Sequence, residues 1–362
     1  MLRFSIQVEG YLEYLLIILI LPLIYLIVVL FFPGFEFAPE DFRLVGSGST
    51  PADSLPYRED IEFLVDNKKI RGWFYRAPKS SAPCVVMATG LGGTRRMGLE
   101  EFAIFYRNQG FHCLTFDYRH FGDSEGQPRA LVAPLLQLED LRQALRWLGA
   151  RQEVDGVFLW GASAAGAYGL ILAAEQGGMP LADSQSATVE SWPLIHGVVC
   201  QVPALDLRAE FKGMINRMGF LQFLRTFIHA QRDRGRGRLG LSPHYIPMVG
   251  ESVAILNGPG AREGFQSICS GVIANRICAR SLIMPPPMAP YKGTTFVRCP
   301  VLIQLAAHDS LIDPNGHQKI AARLGHLCEL RTYEGGHFDL YRPPLSEAVL
   351  LDQIGFFKRT RR

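Results

Sequence analysis

The sequence predicts an α/β fold in which a mostly parallel sheet is covered by helices on both faces. Short apolar runs with strand character alternate with segments that repeat apolar residues every three or four positions. This alternation is typical of parallel strands joined by covering helices. One apolar run ends at Ala162 and passes directly into a stretch of small residues, which predicts a sharp strand-to-helix turn.

An uncharged apolar segment precedes this pattern. Residues 14–33 carry no charge and are mostly Leu, Ile and Val, and about twenty such residues cross a bilayer as a helix. A cleaved signal peptide is the alternative, but residues 31–35 are bulky and offer no small-residue cleavage site. We therefore expect an N-terminal transmembrane helix that makes residues 1–35 a single-pass membrane anchor. Residues 36–56, rich in Gly, Ser, Pro and acids, are predicted to be a linker.

The side of the membrane on which the remaining chain lies is weakly indicated. Arg3 and Arg43 flank the apolar segment, so the positive-inside rule barely discriminates. The seven cysteines are an odd number, and no Asn-x-Ser/Thr acceptor is present. Both observations favour the cytosolic side.

Residues 57–362 are predicted to form one domain, which opens with a hairpin. The predicted strands lie at residues 61–65, 70–75, 83–89, 111–116, 157–162, 196–203 and 301–305. The predicted helices in the first half lie at residues 99–108 and 135–148. About 95 residues without strand-like rhythm separate the last two strands, which is too long for a simple connection.

This long segment is predicted to be an inserted helical cap over residues 204–298. Residues 211–230 have a helical pattern with apolar residues on one side, and an apolar cap predicts a small-molecule substrate that is apolar or of mixed polarity. The basic run at residues 232–238 contains two glycines, and we interpret it as an exposed loop. The formal net charge of +3 is too small to indicate nucleic acid as a partner.

Ser163 is the candidate nucleophile. It lies between small residues, Gly161 and Ala162 before it and residues 164–166 after it, as a tight strand-to-helix turn requires. The motif alone is weak, because a serine at a helix start often serves only as its cap.

An acid and a base follow in the chain. Asp309 comes at the end of the strand predicted for residues 301–305, and His337 follows two glycines on a predicted loop. Asp313, directly before Pro314, is the alternative acid and the better helix-capping candidate. The order Ser163, Asp309, His337 is that of one large class of catalytic triads, and it differs from the orders in two other large classes.

Three other histidines compete with His337 for the role of base. His317 falls within a predicted helix and His326 at its end, so both are expected at the surface. His308 is expected to point away from Asp309, because neighbouring strand residues face opposite sides.

A glycine-rich loop, residues 90–94, follows the strand predicted for residues 83–89. The backbone N–H groups of Leu91 and Ala164 are the candidate oxyanion donors. A phosphate-binding loop is the alternative, but the spacing that such loops require is missing. No metal-ligand spacing is visible among the cysteines, and neither a metal nor a cofactor is expected.

Together these motifs resemble the α/β-hydrolase superfamily over residues 57–360. In detail the chain resembles a branch of dienelactone-hydrolase and Xaa-Pro-peptidase-like hydrolases that includes fungal polyketide transferases. The loop at residues 118–129 and Gly-His-Phe-Asp at residues 336–339 support this resemblance. Two positions depart from the pattern: Ala165 stands where a second glycine is usual, and Thr89 stands where a histidine is usual.

The resemblance implies a serine hydrolase that cleaves an ester or thioester bond through a Ser-Asp-His triad and an acyl-enzyme intermediate. Acyl transfer and Xaa-Pro-type peptidase activity are alternatives, because the same triad serves all three reactions. A catalytically silent, membrane-tethered binding module is an alternative of another class, and the intact Ser163, Asp309 and His337 argue against it.

Overall fold

A computed structural model describes residues 14, 16–27, 37–180, 189, 191–285, 290–312 and 315–361. The strands are β1 (Arg43–Ser47), β2 (Arg58–Val65), β3 (Lys68–Tyr75), β4 (Ala82–Ala88), β5 (His112–Phe116), β6 (Val154–Ala162), β7 (Ile195–Gln201), β8 (Tyr245–Ile246), β9 (Ser270–Ala274), β10 (Ile277–Cys278), β11 (Val301–Ala306) and β12 (Cys328–Tyr333). The helices after residue 37 are α1 (Glu100–Asn108), α2 (Pro134–Gly149), α3 (Ala164–Gln176), α4 (Leu207–Met218), α5 (Phe220–Arg238), α6 (Ala261–Ile268), α7 (Pro290–Gly293), α8 (Asn315–Leu324) and α9 (Leu345–Thr360).

Eight strands form the central sheet in the order β12-β11-β7-β6-β4-β5-β3-β2. The strands from β12 to β5 are parallel to one another, whereas β3 and β2 continue the sheet in antiparallel fashion. Every residue of β4, β5 and β7 is buried. Because successive strand residues face opposite sides, the sheet is covered on both faces, and the predicted α/β architecture is confirmed.

The strand order places a crevice at the middle of the sheet. The chain runs from β4 to β5 on one side, and β6 then pairs with the other side of β4. Ligands of open α/β sheets bind at the carboxyl ends of strands where the order reverses in this way. The loop after β4 and the turn after β6 meet at that point, because Ala88 and Gly161 are partners in the ladder.

The segment between β7 and β11 differs from the predicted cap in three respects. It contains short strands as well as helices. The helix predicted at residues 211–230 is two helices, α4 and α5, separated by Gly219 with φ of 75°. The basic run at residues 232–238 completes α5, so the predicted loop is wrong.

A buried carboxylate explains why α5 continues through its glycines. Asp233 is fully buried. It accepts hydrogen bonds from the backbone N–H of His244 at 2.7 Å and of Arg280 at 2.9 Å. These contacts fix the end of α5 against two other segments, and such tertiary packing overrides a weak helix propensity.

Residues 36–56, predicted to be a linker, contain strand β1. This strand pairs antiparallel with β9 of the insertion, from Arg43 opposite Ala274 to Ser47 opposite Ser270. The pairing joins residues that are far apart in the sequence, and β1 has only one fully buried apolar side chain, Leu44. The local pattern is therefore too short to predict the strand.

The membrane anchor predicted for residues 1–35 is wrong. Among the described residues, no helix combines the length and apolarity needed to cross a membrane. Residues 16–27 are helical, and a helix of that length spans about 18 Å, against about 30 Å for a bilayer core. Residues 1–13, 15 and 28–36 lie outside the described residues. The predicted single-pass localisation, its cytosolic orientation and the membrane as a partner are withdrawn with the anchor.

Candidate active site

Ser163 lies on the sharp turn between β6 and α3. Its backbone has φ of 51° and ψ of −122°, an unfavourable region for a residue with a side chain. Gly161 makes the turn possible, since a Cβ there would lie 2.3 Å from the carbonyl oxygen of Ala165. The Ser163 side chain makes no capping hydrogen bond, so the alternative of a simple helix cap does not apply.

The neighbouring strand holds this turn in place. The Ser163 N–H donates to the carbonyl oxygen of Gln201 at the end of β7, at 2.9 Å. The Ser163 carbonyl accepts from the N–H groups of Gly166 at 3.1 Å and Ala204 at 3.0 Å. These hydrogen bonds fix the main chain on both sides of Ser163. The side-chain hydroxyl can still change its rotamer.

The glycine-rich loop after β4 lies directly beside Ser163. A Cβ on Gly90 would lie 2.9 Å from the Ser163 Cβ, so only glycine allows this approach. The Thr89 hydroxyl donates to the carbonyl oxygen of Gly93 at 3.1 Å, and the Gly93 N–H donates to that of Gly90 at 3.2 Å. Thr89 thus stabilises the loop from its first residue.

The two candidate oxyanion donors lie on two different segments near Ser163, the first turn of α3 and the glycine-rich loop. Ala164 is the first residue of α3, where a backbone N–H has no partner within the helix. Leu91 lines the cavity that contains Ser163. Among the hydrogen bonds of the described residues, none uses the N–H of Leu91 or of Ala164. Both N–H groups are therefore without a described partner, and Leu91 is the one of the two residues that lines the cavity.

Asp309 and His337 form a buried hydrogen-bonded pair. The His337 Nδ1 lies 2.8 Å from the Asp309 Oδ2, and the His337 side chain is 7% exposed. The other carboxylate oxygen, Oδ1, accepts from the backbone N–H groups of Leu311 at 2.8 Å and Ile312 at 3.0 Å. The turn after β11 therefore fixes the carboxylate, and the carboxylate orients the imidazole.

Ser163 and His337 line one cavity of about 40 Å³. Its remaining wall is mostly apolar, and Leu256, Phe265 and Ile268 of the insertion contribute to it. Among the described contacts, the Ser163 hydroxyl and the imidazole are not hydrogen-bonded to each other. Such bonds are often long before a substrate binds. The evidence that Ser163 and His337 belong to one site is therefore the cavity that they both line.

The other histidines lie elsewhere. His308 is exposed and pairs with Glu334 at 3.2 Å, and His326 is also exposed. His317 was expected at the surface, but it is buried, and its Nε2 donates to the Pro203 carbonyl oxygen at 2.6 Å. The expectation failed because α8 packs this side chain against the segment that follows β7. The alternative acid, Asp313, lies outside the described residues.

Asp117 is a supporting residue to which sequence reasoning assigned no role. It is buried at the end of the β5 segment and accepts from the backbone N–H groups of Arg95 at 2.8 Å and Asp123 at 3.0 Å. Burial raises its pKa, whereas the neighbouring Arg95 guanidinium acts in the opposite direction. Its position directly after an apolar strand was the signal available in the sequence.

No metal centre is found among the residues that the structure describes: no group of three or more His, Cys, Asp or Glu side chains is placed to hold an ion.

Comparison with known proteins identifies the family. No family model matches the chain. It is 33% identical over 309 residues to the quorum-quenching protein AidA of Acinetobacter baumannii (strain MDR-ZJ06), covering 83% of this chain and 94% of that protein. It is 25% identical over 312 residues to the polyketide transferase af380 of Aspergillus fumigatus, covering 83% of this chain and 98% of that protein. The crystal structure of the alpha/beta hydrolase GrgF from Penicillium sp. sh18 superposes with a TM-score of 0.65 at 23% identity, covering 84% of this chain and 99% of GrgF.

The chain belongs to the α/β-hydrolase superfamily. This confirms the resemblance stated from the motifs, including the similarity to polyketide transferases. Its relatives are named as a quorum-quenching protein, a polyketide transferase and an alpha/beta hydrolase. The chain therefore belongs to a hydrolase-like and acyl-transferase-like part of the superfamily. The roles of Ser163, Asp309 and His337 and the bond that is cleaved stay predictions.

Proposed function

We propose that this α/β-hydrolase cleaves an ester or thioester bond of an apolar small-molecule acyl substrate, through an acyl-enzyme intermediate. One observation carries the proposal. Ser163, on a strained turn, and His337, hydrogen-bonded to Asp309, line the same cavity. A nucleophile, a base and an orienting acid brought together in this way are the requirements of serine hydrolysis.

In the first step the Ser163 hydroxyl oxygen attacks the acyl carbonyl, and His337 takes the hydroxyl proton. Asp309 accepts the Nδ1–H of the imidazole, which holds the tautomer with Nε2 free to act as the base. It also stabilises the imidazolium that forms. His337 then donates the proton to the leaving alcohol or thiol, and the acyl group stays on Ser163.

The negative charge that develops on the carbonyl oxygen needs donors already in place. The N–H groups of Leu91 and Ala164 supply them in the proposed mechanism, since the described hydrogen bonds use neither. Ala164 adds the positive end of the α3 dipole. Each donor of this kind typically contributes a factor of about 100 to 1,000 in kcat.

In the second step water attacks the acyl-enzyme with His337 as base, which releases the acid. An alcohol or amine acceptor in place of water would give acyl transfer, and the relative named as a polyketide transferase keeps that reaction as the second candidate. The apolar walls supplied by the insertion, Leu256, Phe265 and Ile268, favour an apolar acyl group in both cases. We propose the insertion as the cap over the site.

The first test is labelling with a fluorophosphonate probe, which reacts only with an activated serine. We expect the wild-type protein and a Ser81→Ala control to be labelled, because Ser81 is exposed and precedes β4, whereas the cavity lies after the carboxyl end of that strand. Ser163→Ala should not be labelled. A folded wild-type protein that resists the probe would favour the silent binding module instead.

A substrate panel then separates the reactions. The panel pairs p-nitrophenyl acyl esters and acyl thioesters with Pro-containing dipeptide amides, each with and without an added alcohol acceptor. We expect release of free acid from the esters or thioesters. Cleavage of the amides alone would contradict the proposal in favour of the peptidase, and products formed only with the acceptor would favour acyl transfer.

A further inference from the structure

A second cavity, of about 250 Å³, adjoins the one that contains Ser163. Met97 lines both cavities, and Gly92 and Thr94 of the glycine-rich loop line the second one. Its volume is close to that of small-ligand pockets, which begin at about 300 Å³. We call it the basic cavity.

Two arginines give the basic cavity its charge. Arg129 and Arg276 both line it, and none of the described residues in its wall is acidic. The Arg129 guanidinium donates to backbone carbonyls, including that of Gly122 at 2.6 Å. The Arg276 guanidinium lies 4.9 Å from the centre of the Tyr245 ring. Within the described part of the chain neither forms an ion pair, so two positive charges remain uncompensated beside the cavity.

His120 is the most unusual group in the wall. Its side chain is 5% exposed. Neither ring nitrogen makes a hydrogen bond of good geometry, although the backbone of Gly126 and Pro128 lies close to the ring. Its backbone has φ of 74°, which is uncommon outside glycine. A buried polar group that is poorly hydrogen-bonded costs free energy, so the His120 ring in the cavity wall has capacity for a hydrogen bond to a ligand.

The charge of His120 follows from its surroundings. Burial, together with the nearby Arg119 guanidinium, lowers the pKa of the imidazole to about 4. The ring is therefore neutral at pH 7 and offers one N–H donor. The hydroxyl of Thr94 is a further donor in the wall.

We infer that the basic cavity binds an anionic group of the substrate, a carboxylate or a phosphate, while the acyl carbonyl lies at Ser163. Guanidinium groups match the oxygen geometry of both anions. The apolar wall residues Phe121, Met248 and Ile273 suit the chain that carries the charge. This inference rests on the proposed function and defines its substrate class: an amphiphilic ester or thioester with one charged end.

The test compares matched substrates. One pair is a neutral p-nitrophenyl alkanoate and the p-nitrophenyl half-ester of a dicarboxylic acid of the same length. The other pair is an acyl thioester of pantetheine and the same thioester of phosphopantetheine. We expect kcat/KM to be about tenfold higher for the anionic member of one pair, the effect of one charge-assisted hydrogen bond. The first pair reports a carboxylate and the second a phosphate.

Arg276→Gln is the informative variant, because Arg276 is exposed and its loss leaves the core intact. It should remove the preference for the anionic substrate, so that kcat/KM falls more for the anionic substrate than for the neutral one. Arg331→Gln, at an exposed position on β12 outside the cavity, is the control and should behave as wild type. Inorganic phosphate should inhibit hydrolysis of the anionic substrate by the wild-type protein, which needs no variant.

The outcomes separate this inference from the proposed function. Equal kcat/KM within both pairs, with Ser163 still labelled by fluorophosphonate, would overturn the basic cavity as a substrate site and leave the hydrolase intact. An equal loss by Arg276→Gln on neutral and anionic substrates would also overturn it. If Ser163 is not labelled, the proposed function fails, and calorimetry with inorganic phosphate on wild type and Arg276→Gln tests the cavity alone.

Discussion

At the scale of single residues, Asp309 divides its two carboxylate oxygens between two partners. Oδ1 accepts two backbone N–H groups of the turn that follows it, and Oδ2 faces the imidazole of His337. An asparagine could keep the first contacts through its own oxygen. It would then place an NH₂ group against Nδ1, which removes the acceptor that sets the tautomer.

Asp309→Asn should therefore fold normally and lose activity. We expect kcat to fall by about 10³ to 10⁴, the effect of the wrong imidazole tautomer in a serine triad. Steady-state kinetics on the best ester of the panel measures this, with the melting temperature as a check on folding. Asp313→Asn, the alternative acid in the sequence, is the matched control, and a larger loss in that variant would reassign the acid.

The sequence predicted the central residues of the candidate site more fully than its walls. Ser163 could be located because a sharp turn requires small neighbours, and Asp309 because it ends an apolar strand. Leu256 and Phe265 of the wall lie in the insertion, and His120 lies on the loop after β5. No local pattern marks the two residues of the insertion. The motif at residues 118–129 supports the family resemblance but does not show that His120 lines a cavity, since only the folded chain brings these segments to one place.

At the scale of elements, Asn275 joins the N-terminal segment to the insertion. Its side chain is fully buried, donates to the carbonyl oxygens of Asp41 at 2.7 Å and Val249 at 2.8 Å, and accepts from the Val249 N–H at 2.9 Å. Its backbone N–H donates to the Phe42 carbonyl at 2.9 Å. One residue thus supports the pairing of β1 with β9.

Asn275→Ala should loosen this pairing. Removing the amide leaves buried backbone groups without partners, which typically costs about 1–3 kcal/mol of the free energy of unfolding. Denaturant unfolding measures the loss, and hydrogen exchange should show faster exchange at residues 43–47. Asn257→Ala is the control, because its amide contacts only exposed carbonyls of the insertion. Equal effects of the two substitutions would contradict this role of Asn275.

At the scale of the whole molecule, a histidine pair lies where the N-terminal segment meets α5. The His229 Nδ1 lies 2.7 Å from the His244 Nε2, and the Phe37 ring lies 5.3 Å from that of His229. Burial, then Arg232, lowers the pKa of His229 to about 4. Burial, Arg232 and His229 lower the pKa of His244 to about 3. Both rings are held neutral in the folded protein.

The pair should make the fold sensitive to acid. The ordinary pKa of a histidine is 6.5. Between this pH and about pH 4, the two histidines are protonated in the unfolded chain but stay neutral in the folded protein. The free energy of unfolding therefore falls as the pH falls through this range. We expect the double variant His229→Gln/His244→Gln to lose fewer degrees of melting temperature than wild type between pH 7.5 and 5.0. His326→Gln, at an exposed position, is the control, and parallel losses in all three proteins would rule the pair out.

The sequence by itself determined the features that local rules control. Alternating apolar patterns predicted the parallel sheet and its helices, because the spacing of apolar residues within a short stretch of sequence distinguishes a strand from a helix. The small residues around Ser163 predicted the strained turn for the same reason. The tertiary structure decided the pairing of β1 with β9, the extent of α5, the burial of His317 and the walls of the basic cavity. Each of these depends on hydrogen bonds and burial between residues far apart in the chain, and no local pattern encodes such contacts.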